Sequence, residues 1–339
     1  FSPDSQYIAA ALDSGAIEVW YINGNRLATL RGHATRVKGI SFSPDGLLAS
    51  ASADQTVKLW QLDYGSRLTV LELPVAEQSG ISNLDVSTAQ PWLAASRYDS
   101  KIALWPLDDS KQTSPTYLEP SGIYGTSVSF SPNGQYLAST DIDDSISLWS
   151  LDNTIPGPAG QPSQLISNAH SDGIYGVSFS PQSSFFASAG GDRLVKIWDS
   201  SNPSKSPTIL TGHQDSVNRV LYSPSGEQLI SVGKDSKAIL WNVDTGKPIA
   251  ELVAHAAPIW GVAFSRQGDA IATASADRTV NLWSSEGKLI KTLSGHTNIV
   301  MDVQFGNYDD SLLFSASEDK TIKVWHDGQL AMTLIGHSG

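Results

Sequence analysis

The sequence predicts an all-β protein assembled from eight copies of one short repeat. A tryptophan closes each copy, at intervals of 40 to 49 residues along the 339-residue chain. Between the tryptophans lie short runs rich in β-branched residues, separated by turns such as the Ser-Pro-Asp-Gly of residues 43–46. No stretch shows the apolar periodicity of an amphipathic helix. Such self-similarity is typical of repeat architectures. The closing tryptophans are Trp20, Trp60, Trp105, Trp149, Trp198, Trp241, Trp283 and Trp325.

Each repeat is predicted to contain four strands, a to d. In the second repeat, strand a covers residues 37–42, strand b residues 47–52 and strand c residues 56–60. Strand d follows a turn and leads to the next Gly-His pair. Phe1 corresponds to Phe42, so we expect the first repeat, residues 1–31, to lack strand a.

Four residue types recur at fixed places within the repeats. A histidine opens the repeat, a serine or threonine lies ten residues before the closing tryptophan, and an aspartate lies six residues before it. We call a complete set of these four residues a tetrad. Repeats one, three and four lack at least one member. The five complete tetrads are His33, Ser50, Asp54 and Trp60; His170, Ser188, Asp192 and Trp198; His213, Ser231, Asp235 and Trp241; His255, Thr273, Asp277 and Trp283; and His296, Ser315, Asp319 and Trp325.

The tetrads allow a catalytic and a structural interpretation. Serine, histidine and aspartate form the triad of many hydrolases, in which serine attacks and histidine takes its proton. However, the set recurs five times in this chain, whereas an enzyme needs one triad. A buried indole N–H needs an acceptor, and the hydroxyl can accept it and donate onward to histidine. We therefore predict that the tetrads are structural, that the chain has no catalytic residues and that it is not an enzyme.

The eight copies resemble the WD40-repeat family, and the resemblance covers the whole chain. Only Trp198-Asp199 preserves the literal Trp-Asp pair. The resemblance implies a β-propeller of four-stranded antiparallel blades, each burying its two faces against its neighbours. We expect a single propeller over residues 1–339 with eight blades. Closure of seven blades, with the first three strands surplus, is the alternative. In the family the tetrad is a hydrogen-bond network, and the resemblance carries this role to the five complete sets.

The resemblance also implies a binding surface. In the family, three positions per blade line the rim of the channel, two near the start of strand a and one immediately before the tetrad aspartate. These positions are expected to gather tyrosine, tryptophan, methionine and basic residues around one opening, and such side chains are enriched at interface centres. An acidic residue of a bound peptide is expected to reach Arg36 and Lys38. The predicted partner-binding rim consists of Arg36, Lys38, Tyr98, Tyr124, Tyr175, Asn218, Lys234, Trp260, Met301 and Glu318.

Composition argues against several other functions. The formal net charge is −12, so nucleic acid is not an expected partner. The chain has no cysteine, which excludes disulfides, thiolate metal sites and a cysteine nucleophile, and favours a cytoplasmic location. No apolar run of about 18 residues is present, so no membrane span is predicted. No two histidines show close ligand spacing, so neither a metal nor another cofactor is predicted.

These observations favour a non-catalytic scaffold or ligand-sensing module that binds a protein or peptide on the rim. The chain is similar to prokaryotic multi-repeat WD40 proteins, and it starts at Phe1 rather than methionine. We therefore expect a piece of a longer signalling protein, with an effector domain fused on its N-terminal side. The alternative is a propeller enzyme, a hydrolase with its site in the central channel, although the predicted rim offers Glu318 as its sole carboxylate.

Overall fold

A computed structural model describes residues 1–62, 69–73, 79–107, 114–120, 125–151, 160–306 and 309–335, the segment 69–73 by its backbone alone. Every regular element in these ranges is a β-strand. No helix there is long and apolar enough to span a membrane.

The chain divides into two compact units, Phe1–Ala169 and His170–Gly339. Each unit contains four antiparallel sheets, which we call blades 1 to 4 and 5 to 8. Blade 1 has three strands and every other blade has four, paired in sequence order. The prediction of an all-β, β-propeller class of fold with eight repeats is thus confirmed. Strands β1 to β3 form a blade of their own and are not surplus to seven.

The strands of the first unit follow the predicted a-to-d order. They are β1 Tyr7–Ala11, β2 Ile17–Tyr21 and β3 Arg26–Leu30 in blade 1; β4 Val37–Phe42, β5 Leu48–Ser52, β6 Val57–Gln61 and β7 Thr69–Leu73 in blade 2; β8 Ile81–Val86, β9 Trp92–Arg97, β10 Ile102–Pro106 and β11 Thr116–Leu118 in blade 3; and β12 Gly125–Phe130, β13 Tyr136–Asp141, β14 Ile146–Ser150 and β15 Gln164–Ile166 in blade 4.

The second unit repeats the same order. Its strands are β16 Ile174–Phe179, β17 Phe185–Gly190, β18 Leu194–Asp199 and β19 Thr208–Thr211 in blade 5; β20 Val217–Tyr222, β21 Gln228–Gly233, β22 Ala238–Asn242 and β23 Lys247–Leu252 in blade 6; β24 Ile259–Phe264, β25 Ala270–Ser275, β26 Thr279–Ser284 and β27 Leu289–Ser294 in blade 7; and β28 Val300–Phe305, β29 Leu312–Ser317, β30 Thr321–His326 and β31 Gln329–Ile335 in blade 8.

Apolar clusters between neighbouring blades form the core of each unit. Between blades 6 and 7, Ile230 and Leu240 pack with Ile259 and Val262. Between blades 3 and 4, Leu104 packs in one cluster with Val128 and Leu137. Each cluster takes side chains from two sheets because a blade has two faces to bury.

A hydrogen-bond network ties each complete tetrad together. In blade 2, Trp60 Nε1 donates to Ser50 Oγ over 2.7 Å, and this hydroxyl lies 2.8 Å from His33 Nε2. His33 Nδ1 lies 3.0 Å from Asp54 Oδ2. Because a carboxylate only accepts, the imidazole donates from Nδ1 and accepts the hydroxyl proton at Nε2. The same three contacts join the tetrads of blades 5 to 8, at 2.7–3.0 Å.

The networks position the loops that carry the predicted rim. The histidine lies in the loop between strands d and a, and the aspartate in the turn between strands b and c. The aspartate also accepts the backbone N–H that follows the histidine, as Asp54 does from Ala34 over 2.7 Å. The loop and the turn are therefore held against each other in each of these five blades.

The networks also shift the acidity of their members. Burial alone raises the pKa of Asp319, but hydrogen bonds from Thr321, the Thr297 N–H and His296 outweigh it and lower the pKa to about 2. The same opposition leaves the pKa values of Asp54, Asp235 and Asp277 below their ordinary value. Burial lowers the pKa values of His255 and His296, although their aspartate partners oppose it.

Blade 3 lacks the tetrad hydroxyl. Ala95 replaces it, and the indole N–H of the fully buried Trp105 has no hydrogen-bond partner among the described residues. Arg97, which is also fully buried, donates from Nη2 to Asp99 Oδ2 over 2.5 Å. Its guanidinium carbon lies 5.2 Å from the centroid of the Tyr117 ring. Arginine therefore takes the place of histidine as the partner of the turn aspartate.

Blade 4 satisfies its tryptophan from the main chain. Trp149 Nε1 donates to Gly160 O over 3.1 Å, and the backbone N–H of Glu119 donates to the same oxygen over 2.9 Å. Gly160 has a φ of +61°, and a Cβ there would lie 2.5 Å from Tyr117 O. Glycine is thus required where the chain approaches this tryptophan.

We expect Tyr222→Phe to raise the free energy of unfolding by about 1 kcal/mol. Tyr222 ends strand a of blade 6, and its buried hydroxyl has no hydrogen-bond partner in the described ranges. Burial raises the pKa of this hydroxyl. Phenylalanine stands at the equivalent place in Phe264 of blade 7. Urea unfolding measures the change, and the matched reversal Phe264→Tyr should lower stability. A loss of stability in Tyr222→Phe contradicts the prediction.

Ala95→Ser should stabilise the protein by about 1 kcal/mol, because it supplies the acceptor that the Trp105 indole lacks. The matched control is Ser50→Ala, which removes the acceptor from Trp60 and should destabilise by about 1–3 kcal/mol. Both free energies come from denaturant unfolding of the intact chain. If Ala95→Ser leaves the free energy of unfolding unchanged while Ser50→Ala lowers it, the Trp105 N–H does not lack an acceptor at a cost to stability, and the prediction is wrong.

The contribution of His255 and His296 to stability should be greatest above about pH 6.5 and decrease on acidification. The folded-state pKa values of His255 and His296 lie below 6.5, so the unfolded state binds protons more readily as the pH falls through that range. The lowered pKa values of Asp54 and Asp319 add a second decrease below about pH 4.

Urea midpoints measured between about pH 7.5 and 2 test both steps. Compared with the unchanged chain, the double variant His255→Gln, His296→Gln should lose less stability, or gain more, between about pH 7 and 5. If the double variant and the unchanged chain show the same pH dependence of stability in this range, groups other than His255 and His296 cause it.

Candidate functional site

A β-bulge lies near the start of strand a in blades 2 to 8. In blade 5 the pairing register shifts between Ile174 and Gly176, so Tyr175 is the extra residue. A bulge leaves its extra residue unpaired and redirects its side chain. The seven residues bulged in this way are Lys38, Ser82, Thr126, Tyr175, Asn218, Trp260 and Met301. Five rim positions predicted from the sequence therefore coincide with bulges.

Two predicted rim residues of the second unit lie in direct contact. The Lys234 ammonium lies 5.4 Å from the centroid of the Tyr175 ring, within cation–π distance. Lys234 is in the b–c turn of blade 6, and its backbone N–H donates to Ser216 O over 2.9 Å. Tyr175 is 44 % exposed, so its ring keeps a surface available to a ligand.

The other rim residues of this unit range from buried to exposed. Asn218 is buried, and its amide donates to Ile259 O of blade 7 over 2.8 Å. The half-buried Trp260 has an indole N–H without a hydrogen-bond partner among the described residues. Met301 is 43 % exposed. Glu318 is exposed, and its backbone N–H donates to Ile299 O over 2.9 Å.

An ion pair beside these residues was not predicted from the sequence. Arg219 Nη1 lies 2.6 Å from Asp302 Oδ1, which joins strand a of blade 6 to strand a of blade 8. Gly261 of blade 7 lies between them, and a Cβ there would lie 2.8 Å from the Asp302 Cα atom. The absence of a side chain at Gly261 therefore makes room for the pair. Asp302 raises the pKa of Arg219.

Arg36, Lys38 and Tyr98 are the predicted rim residues of the first unit that the structure describes. Arg36 Nε lies 2.6 Å from Asp13 Oδ1, and both side chains are more than half exposed. Lys38 is exposed. The Tyr98 ring lies over Gly80, where a Cβ would come within 2.8 Å of it. Tyr124 lies outside the described residues.

The tetrads offer little access to a substrate. The five hydroxyls that would act as nucleophiles are 0–1 % exposed, and each already accepts a tryptophan N–H. Within the described ranges, no group of three or more His, Asp or Glu side chains is placed to hold a metal ion.

Comparison with known proteins matches these repeats to one family. The model described as "WD domain, G-beta repeat" matches residues 24–61, 117–150, 161–199, 204–242, 246–284 and 287–326, more than half of the chain. The third repeat, in which alanine replaces the tetrad hydroxyl, is not among the matched segments.

Relatives match either part of the chain or nearly all of it. The nuclear distribution protein PAC1 of Candida albicans is 34% identical over 110 residues, which are 31% of this chain and 23% of the relative. The apoptotic protease-activating factor 1 of Rattus norvegicus is 25% identical over 335 residues, which are 97% of this chain and 25% of the relative. The chain thus spans about a quarter of the length of these relatives.

A solved structure shares the fold. The crystal structure of the computationally designed Ika8 protein superposes with a TM-score of 0.79 at 24% identity, covering 95% of this chain and 93% of the designed one. At this identity the likeness concerns the fold alone. The family match, by contrast, extends over more than half of the sequence, and the chain therefore belongs to the WD40-repeat family.

Proposed function

We propose that this chain is a non-catalytic interaction module that binds a peptide or protein segment on the rim of the His170–Gly339 unit. The observation that carries the proposal is the row of bulged residues at the start of strand a. Tyr175, Trp260 and Met301 present aromatic and thioether surface there. Tyrosine, tryptophan and methionine are enriched at interface centres. The two aromatic side chains bury a large area with few rotatable bonds.

The charges around this row favour a partner that carries an acidic group. Lys234 is exposed and lies on the Tyr175 ring without a carboxylate partner among the ion pairs described here. A glutamate or aspartate of the partner would reach its ammonium beside the aromatic surface. Arg36 is a weaker candidate for this role than the sequence indicated, since Asp13 already contacts it.

Catalysis has no specific observation in its favour. A nucleophile must reach its substrate, and the tetrad hydroxyls are enclosed and engaged by tryptophan. The hydrolase alternative would need another set of groups, so the structural role of the tetrads is the better proposal. A location in the cytoplasm and the absence of a nucleic-acid partner remain predictions.

The relatives support a modular role within a longer protein. Their names describe a nuclear distribution protein and a protease-activating factor, and each extends far beyond the matched segment. We therefore propose that this chain acts as the sensing or scaffolding part of a larger signalling protein, with its effector domain on the N-terminal side.

Peptides selected from a random display library on the intact chain test the rim. Trp260→Ala and Tyr175→Ala should each weaken binding of the selected peptides by about 2 kcal/mol, roughly thirtyfold in Kd, because each substitution removes an aromatic side chain at the centre of the proposed interface. Fluorescence anisotropy of labelled peptides measures Kd, and circular dichroism verifies that each variant folds. The matched control is Ile249→Ala, an exposed residue on strand d, at one edge of blade 6.

The proposal is supported if the selected peptides bind Ile249→Ala with unchanged affinity and bind Tyr175→Ala and Trp260→Ala more weakly. Peptides that bind the Tyr175→Ala, Trp260→Ala double variant as tightly as the unchanged chain overturn it. If only Ile249→Ala loses binding, the peptides bind at strand d of blade 6 and the proposal is wrong.

A further inference from the structure

Blade 4 contains three buried polar atoms without a hydrogen-bond partner among the described residues. They are Ser139 Oγ, Asp141 Oδ1 and Ser147 Oγ. The three residues are 0–1 % exposed. In the blades with complete tetrads, the hydroxyl equivalent to Ser139 contacts both the tryptophan and the histidine. In blade 4 the tryptophan donates to Gly160 O instead, so Ser139 has neither contact.

The three atoms belong to one face of the sheet. Ser139 and Ser147 are direct partners across strands β13 and β14, so their side chains extend from the same face. Asp141 follows Ser139 by two residues in β13, and side chains two residues apart in a strand share a face. The carboxylate and both hydroxyls therefore lie on the same face of one pair of strands.

A second carboxylate connects this cluster to solvent. Ser145 Oγ lies 3.3 Å from Asp141 Oδ2 and 3.0 Å from Asp143 Oδ1. Asp143 is exposed, whereas Ser145 and Asp141 are buried. Oxygen atoms thus form a path from the surface of the b–c turn to the interior of the blade.

We propose that this cluster is a binding site for a hard cation of the calcium type. Asp141, Ser139 and Ser147 supply the inner oxygens, and Asp143 and Ser145 supply oxygens on the side of the b–c turn. Calcium prefers six to eight oxygen ligands and tolerates irregular geometry, with water completing the shell. The carboxylates of Asp141 and Asp143 would balance its charge.

This site departs from the expectation of no metal, which was based on the spacing of histidines and did not consider hydroxyl and carboxylate oxygens.

Calcium titration of the EDTA-treated intact chain tests the site. Isothermal titration should detect one calcium ion per chain with a Kd of about 0.1–1 mM. Saturating calcium should raise Tm by about 2–4 °C at constant ionic strength. Parallel titrations with magnesium and sodium should give smaller responses, because magnesium demands a tighter octahedral shell.

Two variants locate the ion. Asp141→Asn should abolish calcium binding and its effect on Tm. Ser147→Ala should weaken calcium binding at least about tenfold, yet leave the metal-free Tm unchanged or higher, because it deletes an unpartnered hydroxyl. This second variant keeps the test valid if Asp141→Asn fails to fold. The matched charge control is Glu286→Gln in an exposed turn of blade 7, which should bind calcium normally.

Three results would overturn the proposal. If calcium neither binds nor raises Tm, the cluster is not a calcium site. If calcium binds Ser147→Ala as tightly as the unchanged chain, the ion lies elsewhere. If sodium raises Tm as much as calcium does, the effect is a general response to salt.

Discussion

A buried indole N–H needs a hydrogen-bond acceptor, and this constraint organises most of the blades. A donor without an acceptor in the interior costs about 1–3 kcal/mol. Blades 2 and 5 to 8 meet the constraint with a hydroxyl, which histidine and aspartate then orient. Blade 4 meets it with the carbonyl of Gly160, whereas blade 3 leaves Trp105 without an acceptor among the described residues. Where the full chain of bonds exists, it also fixes the d–a loop against the b–c turn.

The loss of these bonds in blades 3 and 4 does not remove the sheets. Both blades keep four strands, and an apolar cluster that includes Leu104, Val128 and Leu137 packs them together. Apolar burial is roughly proportional to area and does not depend on direction, so it can hold a blade whose polar network has changed. The tetrad adds direction: it selects one arrangement of loop and turn from those the apolar core would accept. This division explains why blades 3 and 4 can differ from the others at tetrad positions while their core positions remain apolar.

The sequence predicted the repeats well because their signals are local and periodic. Strand a of blade 2 was predicted at residues 37–42 and occurs at Val37–Phe42, and strand b was predicted one residue longer at its start than Leu48–Ser52. The tetrad contacts follow from residues that recur at constant spacing.

Contacts between distant residues could not be predicted in this way. The Arg219–Asp302 pair joins residues 83 positions apart and depends on the missing side chain at Gly261, so no local sequence pattern predicts it. The bond from Trp149 to Gly160 likewise crosses a segment whose course has no repeat to predict it. The sequence-based prediction considered histidine as the partner of the turn aspartate, so it did not include Arg97, which lies two residues before that aspartate.

The bulges separate the variable part of each repeat from its constrained part. Tetrad members bond to one another, so a change at one of them leaves a partner unsatisfied, as Ala95 does for Trp105. The bulged residue takes no part in the pairing register, so its identity can change without disturbing the sheet. Four successive blades of the second unit accordingly present a phenol, an amide, an indole and a thioether at this one position. The backbone at this position is constant while the side chain varies. This arrangement suits the binding surface proposed for this unit, because each blade can contact a different side chain of an extended partner. The same argument explains why the amide of Asn218 is the exception: it bonds to Ile259 O and so stabilises the contact between two blades.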